Sequence, residues 1–183
     1  MHKKRFGIVL LLALAVFGIY LGTRTARRSA YPRGYAPMIE EQSAKAGVDT
    51  MLLYAVVRCE SGFDPEAVSS VGARGLMQLT EDTFDWVCWR LGEERSYDEA
   101  FDPEINLRFG TYLLAYLLDR FQDEATALAA YHAGSGIVGQ WLLDERYSSD
   151  QKTLHTIPYE DTARYVPRVL KTKEIYIELY GKG

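Results

Sequence analysis

The stretch DTMLLYAVVRCESGFDPEAVSSVGARGLMQLT, residues 49–80, joins an apolar helical run to a loop rich in small residues. Asp49 is a favourable helix N-cap, so we expect a helix from there to about Glu60. Along this helix the spacing i, i+3, i+4 and i+7 carries three aliphatic side chains and then an acid: Leu53, Val56, Val57, Glu60. The carboxylate therefore continues the buried stripe and does not lie on the solvent-facing side.

A carboxyl group in this position should hold its proton more tightly than a surface acid does. Partial desolvation and the negative end of the helix dipole both oppose ionisation, so both raise the pKa of Glu60. A carboxyl that stays protonated near neutral pH can serve as a general acid. Two structural interpretations stay open: Glu60 pairs with Arg58 or Arg74, or its side chain extends into solvent at the helix end.

The loop that follows Glu60 combines small, apolar and amide side chains. Gly72 and Gly75 allow close approach of the backbone, Leu76 and Met77 offer apolar contact, and Gln78 can both donate and accept hydrogen bonds. Such a lining suits an uncharged polyol.

Aromatic side chains in two later motifs could complete a cleft. Tyr131 and His132 lie in AYHAGSG, just before a glycine turn, and Tyr165 lies in ARYVPRVL. Taken singly, each aromatic residue is more often part of a core than of a binding site.

Helix signals dominate the rest of the chain and predict an all-α protein with little or no sheet. We expect Pro167 to kink or split the last helix, and a small hairpin could lie within residues 148–157. The predicted helices are residues 38–46, a segment capped by Thr80 and ending near Gly92, a long one opened by Asp102 and Pro103, one capped by Asp123 and ended by Gly134, residues 137–143, and residues 158–180.

The first residues form a separate segment. Three basic residues precede residues 6–22, which are uncharged and as a helix would extend roughly 25 Å, close to the thickness of a bilayer core. We expect an uncleaved signal anchor in residues 1–22, a linker in residues 23–37 and one domain in residues 38–183. The domain should lie outside the cytoplasmic membrane, in the cell envelope.

Charge divides between these parts. Residues 1–34 contain seven of the 21 Lys and Arg residues and none of the 25 Asp and Glu residues, so the domain is strongly acidic. An acidic surface disfavours nucleic acid as a partner, whereas the basic segment suits anionic lipid headgroups or is simply a solvated linker. The three histidines and two cysteines have no metal-ligand spacing; Cys59 and Cys88 are expected as buried free thiols, with a disulfide as the alternative.

Four motifs together resemble the soluble lytic transglycosylase domain family, which has the lysozyme-like α-helical fold. They occur in the family's order and spacing, and the resemblance covers about residues 38–180. The motifs are ESGFDP at 60–65, GARGLMQL at 72–79, AYHAG at 130–134 and IPYEDTARYVPRVL at 157–170.

The resemblance implies cleavage of the bond between N-acetylmuramic acid and N-acetylglucosamine in peptidoglycan, without a metal or other cofactor, by a monomer. It implies Glu60 as the single catalytic acid and base. It also implies that Ser61 supports Glu60 or the reacting sugar, and that Met77 and Gln78 line subsites. Tyr131 and Tyr165 would border Glu60, and His132 would contact the substrate. His132 replaces the family's usual Asn and can titrate.

Two other functions are consistent with the same residues. A muramidase on this fold would need a second acid, for which Asp64 and Glu66 are candidates, although a turn residue and a surface charge are their commoner roles. A glycan-binding or assembly module without activity could keep the cleft as a scaffold.

Overall fold

The fold is described by a computed structural model that covers residues 2–181, with side chains from residue 14 onward. Within these residues the chain forms eight α-helices and one short 3₁₀ helix, over Tyr97–Phe101, and no sheet. The α-helices are α1 His2–Ala30, α2 Ala36–Ala46, α3 Thr50–Glu60, α4 Glu81–Leu91, α5 Pro103–Phe121, α6 Glu124–Ala133, α7 Ser135–Leu142 and α8 Glu160–Tyr180. The predicted all-α class is confirmed.

The predicted helix caps are confirmed where the sequence placed them. The Asp49 carboxylate accepts hydrogen bonds from the amides of the first turn of α3, and Thr80 does the same for α4. Asp102 and Asp123 cap α5 and α6 in the same way. These side chains satisfy amides that have no partner inside the helix, which is why each element begins at its cap.

Of the kink or split expected at Pro167, the split is not found, because α8 is continuous through Pro167. Proline removes one helical hydrogen bond, but the residues on either side of it are held by packing. Val166 and Val169 are both buried in the main core, and α8 packs along α3 and α6. Tertiary contacts therefore override the break that the sequence predicts.

The suggested hairpin is also wrong in its position. Residues 148–157 form turns around Asp150, whose carboxylate accepts hydrogen bonds from the amides of Lys152 and Thr153. Within the described part of the chain, isolated β-bridges occur instead in the loop after α3, where Arg74 pairs with both Val68 and Leu79.

Helix α3 passes through the middle of the core. Leu53, Tyr54, Val56 and Val57 have no exposed surface, and helices α2 and α8 pack on two sides of this helix. Burial of this apolar stripe fixes which face of α3 points inward, and Glu60 lies at its end.

The chain before α2 is packed on the domain. Helix α1 runs through Ala30, so the first eight residues of the predicted linker are helical. The strap, which we define as residues 27–35, then crosses α8: the Tyr176 hydroxyl donates to the Pro32 carbonyl at 2.7 Å, and the Tyr180 hydroxyl donates to the Tyr31 carbonyl at 2.8 Å. The division of the chain at residue 38 stays a prediction, but the strap shares in the packing of the domain.

Across the residues that the structure describes, no helix combines the length and apolar character needed to cross a membrane. The predicted anchor falls partly on residues 6–13, whose side chains lie outside the described part, so it stays a prediction. Cys59 and Cys88 are both free thiols; Cys88 is buried and Cys59 half-buried.

Candidate functional site

Glu60 lies at the last turn of α3, half-buried at the floor of a groove. Its environment raises the pKa to about 7, chiefly because burial penalises the carboxylate. A hydrogen bond from Tyr165 and the positive charge of Arg168 act in the opposite direction. The group is thus poised to exist in both protonation states near neutral pH.

Tyr165 is the direct partner of Glu60. Its hydroxyl donates to Glu60 Oε1 at 2.5 Å, and its ring is buried between α8 and α3. Burial and the nearby acid hold the pKa of Tyr165 well above its usual value, so the phenol remains a donor. Tyr131, on α6, is also fixed by a hydrogen bond from its hydroxyl, which donates to the Met77 carbonyl at 2.8 Å.

The loop between α3 and α4 forms the wall of the groove. Gln78 has a left-handed backbone, with φ of 49°, and its side-chain amide donates to the carbonyls of Ala67 and Gly75 at 3.0 and 2.9 Å. Both hydrogens of the Gln78 side-chain nitrogen are therefore used within the loop. The side-chain oxygen of Gln78 is the group left to accept a hydrogen bond from a ligand.

The structure does not place Ser61 and Met77 in the groove lining. The Ser61 hydroxyl donates to the Leu76 carbonyl at 2.8 Å and accepts from the Phe63 amide at 3.1 Å, so it ties the loop to the end of α3. The Met77 side chain is fully buried beneath the loop, against Gly110. Both residues support the loop that forms the groove wall, and their side chains do not face the groove.

Asn106, on α5, positions the groove loop, and sequence reasoning missed it. It has no exposed surface, accepts from the Met77 amide at 2.7 Å, and donates to the carbonyls of Arg74 and Ala100 at 2.9 and 2.6 Å. Gly75 packs so closely against it that a Cβ would overlap both Asn106 and the Ala100 carbonyl. A lone Asn within the apolar stripe of a helix was the available signal.

His132 is exposed at the rim of the groove, and its ring is tilted by 33° relative to that of Tyr165, with the ring centroids 4.5 Å apart. Its Nδ1 lies 3.0 Å from the Thr162 hydroxyl. Partial burial lowers the pKa of His132, and the charge of Arg168 lowers it further against the opposing charge of Asp161, which favours the neutral ring. A neutral imidazole can donate one hydrogen bond to a ligand, as the usual Asn can.

The groove has a volume of about 550 Å³ and gathers five of the seven predicted site residues: Glu60, Gln78, Tyr131, His132, Tyr165. Thr83 and Leu113 also line it, as does a cluster of charged residues on α8 that the prediction missed: Asp161, Arg164 and Arg168. The helical spacing of these residues with Tyr165 could have indicated that they share its face.

Neither structural interpretation of Glu60 is found. Arg74 pairs with Asp98 at 2.8 Å, and the Arg58 guanidinium lies over the Tyr31 ring at 5.1 Å. The candidate second acids, Asp64 and Glu66, do not line the groove; the Asp64 carboxylate accepts from the Glu66 amide as a turn residue. The second carboxylate in the lining is that of Asp161, which is paired with Arg164 at 2.6 Å.

A second hollow continues the groove between α4, α5 and α6. It has a volume of about 370 Å³ and shares Thr83, Leu113 and Tyr131 with the groove around Glu60. Trp86 and Tyr116 line its far side, with their ring centroids 5.1 Å apart. The two hollows together form an elongated path, as a chain-like ligand would require. In the described residues, no group of three or more His, Cys, Asp and Glu could hold a metal ion.

Comparisons with known proteins match most of this chain to lytic transglycosylases. The family model described as "Transglycosylase SLT domain" matches residues 37–154. The chain is 29% identical over 156 residues to the soluble lytic murein transglycosylase of Salmonella typhimurium, which covers 83% of this chain and 24% of that protein. It is 35% identical over 128 residues to the membrane-bound lytic murein transglycosylase F of Desulfosudis oleivorans, which covers 65% and 26%.

A similar solved structure is that of an inactive mutant of the lytic transglycosylase Slt from Pseudomonas aeruginosa. It superposes with a TM-score of 0.73 at 30% identity, over 84% of this chain and 25% of that chain. This chain thus spans about a quarter of the length of each of these three relatives.

Proposed function

This chain belongs to the transglycosylase SLT domain family, and we propose that it is a peptidoglycan lytic transglycosylase. It would cleave the β-1,4 bond between N-acetylmuramic acid and N-acetylglucosamine and leave a 1,6-anhydromuramyl end. The substrate class is proposed from the names of the relatives, whose full lengths exceed this chain, and from the elongated groove.

The observation that supports this reaction most strongly is the state of Glu60. Its pKa of about 7 allows it to start protonated and to act as a base once it has given up that proton. Tyr165 donates to the carboxylate and holds its orientation. One carboxyl group in this setting can serve both halves of a reaction in which the nucleophile belongs to the substrate.

The proton moves in two steps. Glu60 donates its proton to the glycosidic oxygen while the bond from that oxygen to the muramyl C1 breaks, and the muramyl N-acetyl group stabilises the cationic carbon. The Glu60 carboxylate then removes the proton from the C6 hydroxyl of the same sugar, and O6 bonds to C1. Glu60 ends protonated, as it began. Because the hydroxyl is tethered to the reacting sugar, the entropy of capturing a water is avoided.

Hydrolysis is the alternative that one observation favours, because Asp161 provides a second carboxylate in the groove. Inverting glycosidases use such a group to activate water. Here Asp161, in the first turn of α8, is exposed and ion-paired with Arg164, so it does not share the buried setting of Glu60. The single-carboxyl reaction is therefore the better supported one.

Mass spectrometry of the soluble products separates these reactions. Purified full-length chain in detergent is incubated with peptidoglycan, and the muropeptides are analysed without reduction. A transglycosylase yields anhydro products that are lighter by one water than hydrolysis products, and Asp161→Asn retains this activity. Reducing-end products that disappear in Asp161→Asn would establish a muramidase; strand binding without any product would establish a silent glycan-binding module.

The proposed setting is the cell envelope, with the chain acting as a monomer on glycan strands. Anchoring through residues 6–22 belongs to this proposal; membrane fractionation of the full chain against one lacking residues 1–26 tests it. The acidic domain disfavours nucleic acid as a partner.

A further inference from the structure

Two arginines of α8 line the groove, and they differ in their partners. Arg164 is engaged by acids of its own helix: its guanidinium contacts Glu160 at 2.5 Å and Asp161 at 2.6 Å. Arg168, one turn further on, has no carboxylate within 4.0 Å among the residues that the structure describes, although it is exposed and lines the same groove. A guanidinium that faces a ligand groove without a directly paired carboxylate can bind an anionic group of a ligand.

The Arg168 guanidinium is held in place without being neutralised. Nη2 donates to the Cys59 carbonyl at 3.5 Å, at the end of α3, and the guanidinium carbon lies 5.6 Å from the centroid of the Tyr165 ring. Both contacts come from the neighbours of Glu60 in the site. A guanidinium has five N–H donors in a planar fork, so most of them remain available to a ligand.

The proposed substrate has an acidic group close to this position. Muramic acid carries a lactyl ether that N-acetylglucosamine lacks, and it ends either in a free carboxylate or in a peptide that has carboxylates of its own. The reacting muramyl sugar must lie against Glu60, and Arg168 lines the same groove beside Tyr165, the hydrogen-bond partner of Glu60. The substituent of that sugar can therefore extend toward Arg168.

We propose that Arg168 binds a carboxylate on the side chain of the muramyl sugar at Glu60, and that it thereby sets a preference for muramyl over unsubstituted sugars at this position. This inference depends on the proposed function. Arg168 acts here in binding; the proton steps belong to Glu60.

Binding is measured by calorimetry on the full chain in detergent, in a Glu60→Gln background so that ligands are not cleaved. Three ligands are compared: glycan fragments that carry peptides, the same fragments after an amidase has removed the peptides, and an N-acetylglucosamine oligomer of equal length. Arg168→Ala is expected to weaken binding of the carboxylate-bearing fragments by about 10-fold or more, as for loss of a charge-assisted hydrogen bond. Binding of the neutral oligomer should not change.

Two further variants separate charge from position. Lys171→Ala removes a cation from the next turn of α8, where Lys171 pairs with Glu174 at 3.0 Å, and should leave all three affinities unchanged. Arg168→Lys should restore part of the affinity for the fragments. A loss confined to amidase-treated fragments identifies the lactyl carboxylate as the ligand, and a loss confined to peptide-bearing fragments identifies a peptide carboxylate.

The inference is overturned if Arg168→Ala weakens all three ligands equally, which would indicate a structural role, or if it weakens none. These results are distinguishable from failure of the proposed function, because the protein with an intact Glu60 would still release anhydro products from the same fragments. If that protein releases none, the function and the inference that depends on it both fail.

Discussion

The Tyr165 hydroxyl donates a hydrogen bond to Glu60 Oε1 over 2.5 Å, although the two residues are 105 positions apart in sequence. This bond favours the carboxylate, whereas burial favours the protonated acid. The balance of the two places the pKa of Glu60 at about 7, within the range where one group can both give and take a proton.

The first prediction concerns the pH dependence of Tyr165→Phe. In the unmodified protein, kcat/KM should fall above about pH 7, because Glu60 must be protonated when the reaction begins. Loss of the hydroxyl removes a bond to the ionised form, so the pKa of Glu60 should rise and the falling limb should move up by about 1 pH unit or more. The maximal rate should fall, since the carboxylate intermediate is less stabilised. If the decline of kcat/KM at high pH stayed in place or moved to lower pH in Tyr165→Phe, Tyr165 would not stabilise the Glu60 carboxylate.

The second prediction concerns stability. The folded-state pKa of Glu60, about 7, exceeds its ordinary value of 4.5, so the folded protein binds more protons than the unfolded chain between these values. Stability should therefore decrease as pH rises through this window, by up to about 3 kcal/mol. Glu60→Gln removes the effect and keeps an acceptor for Tyr165. Thermal unfolding should show this variant to be more stable than the parent at pH 8 and similar to it at pH 4.

Glu66→Gln is the matched control, since Glu66 is exposed and lies outside the groove. It should shift the midpoint of unfolding little at either pH. If the difference in unfolding temperature between Glu60→Gln and the parent protein were the same at both pH values, burial would not raise the pKa of Glu60.

The third prediction concerns Asn106, which ties the groove loop to α5. Asn106→Ala leaves the Met77 amide, the Arg74 carbonyl of the loop and the Ala100 carbonyl of the 3₁₀ helix without their partner, and each buried unsatisfied group costs about 1–3 kcal/mol. We expect a loss of about 3 kcal/mol or more in the free energy of unfolding, measured with urea. Thr111→Val is a buried change five residues along α5, at a hydroxyl whose hydrogen bond to the Met77 sulfur is long, at 4.0 Å, and it should be far milder. Equal effects of the two variants would refute the role of Asn106.

The fourth prediction concerns the strap, residues 27–35. A chain that begins at residue 27 should unfold at a higher temperature than one that begins at residue 36. The shorter chain loses the carbonyls that accept from Tyr176 and Tyr180, which should cost at least about 2 kcal/mol. It also loses Gly34, which lies so close to Phe63 that a Cβ there would be 2.9 Å from the ring. Equal stability of the two chains would place the domain boundary after the strap.

The helices were predictable because their signals are local. Asp49, Thr80, Asp102 and Asp123 each begin a helix through contacts with amides two or three residues away. The spacing of Leu53, Val56 and Val57 likewise identified the buried face of α3 and placed Glu60 on it. Periodicity and capping act within a few residues, so the sequence shows them directly.

The interactions that were missed act over long separations in sequence. Pro167 remains inside a continuous helix because α3 and α6 pack against α8, and Asn106 contacts a loop about 30 residues earlier in the chain. Resemblance to the family suggested that Met77 lines a subsite, but its side chain fits beneath the loop, where the absence of a side chain at Gly110 leaves room. Such contacts depend on the assembled fold and have no local pattern.

The central claim is that Glu60 alone supplies and removes the proton, and Glu60→Gln tests it most directly. The full-length variant and its parent are incubated with peptidoglycan at pH 6, and anhydromuropeptides are quantified by mass spectrometry, with circular dichroism to confirm folding. We predict a folded protein whose rate of anhydro product formation is at least about 100-fold lower, in keeping with loss of general acid and base catalysis. Product formation at the parent rate by the folded variant would contradict the account.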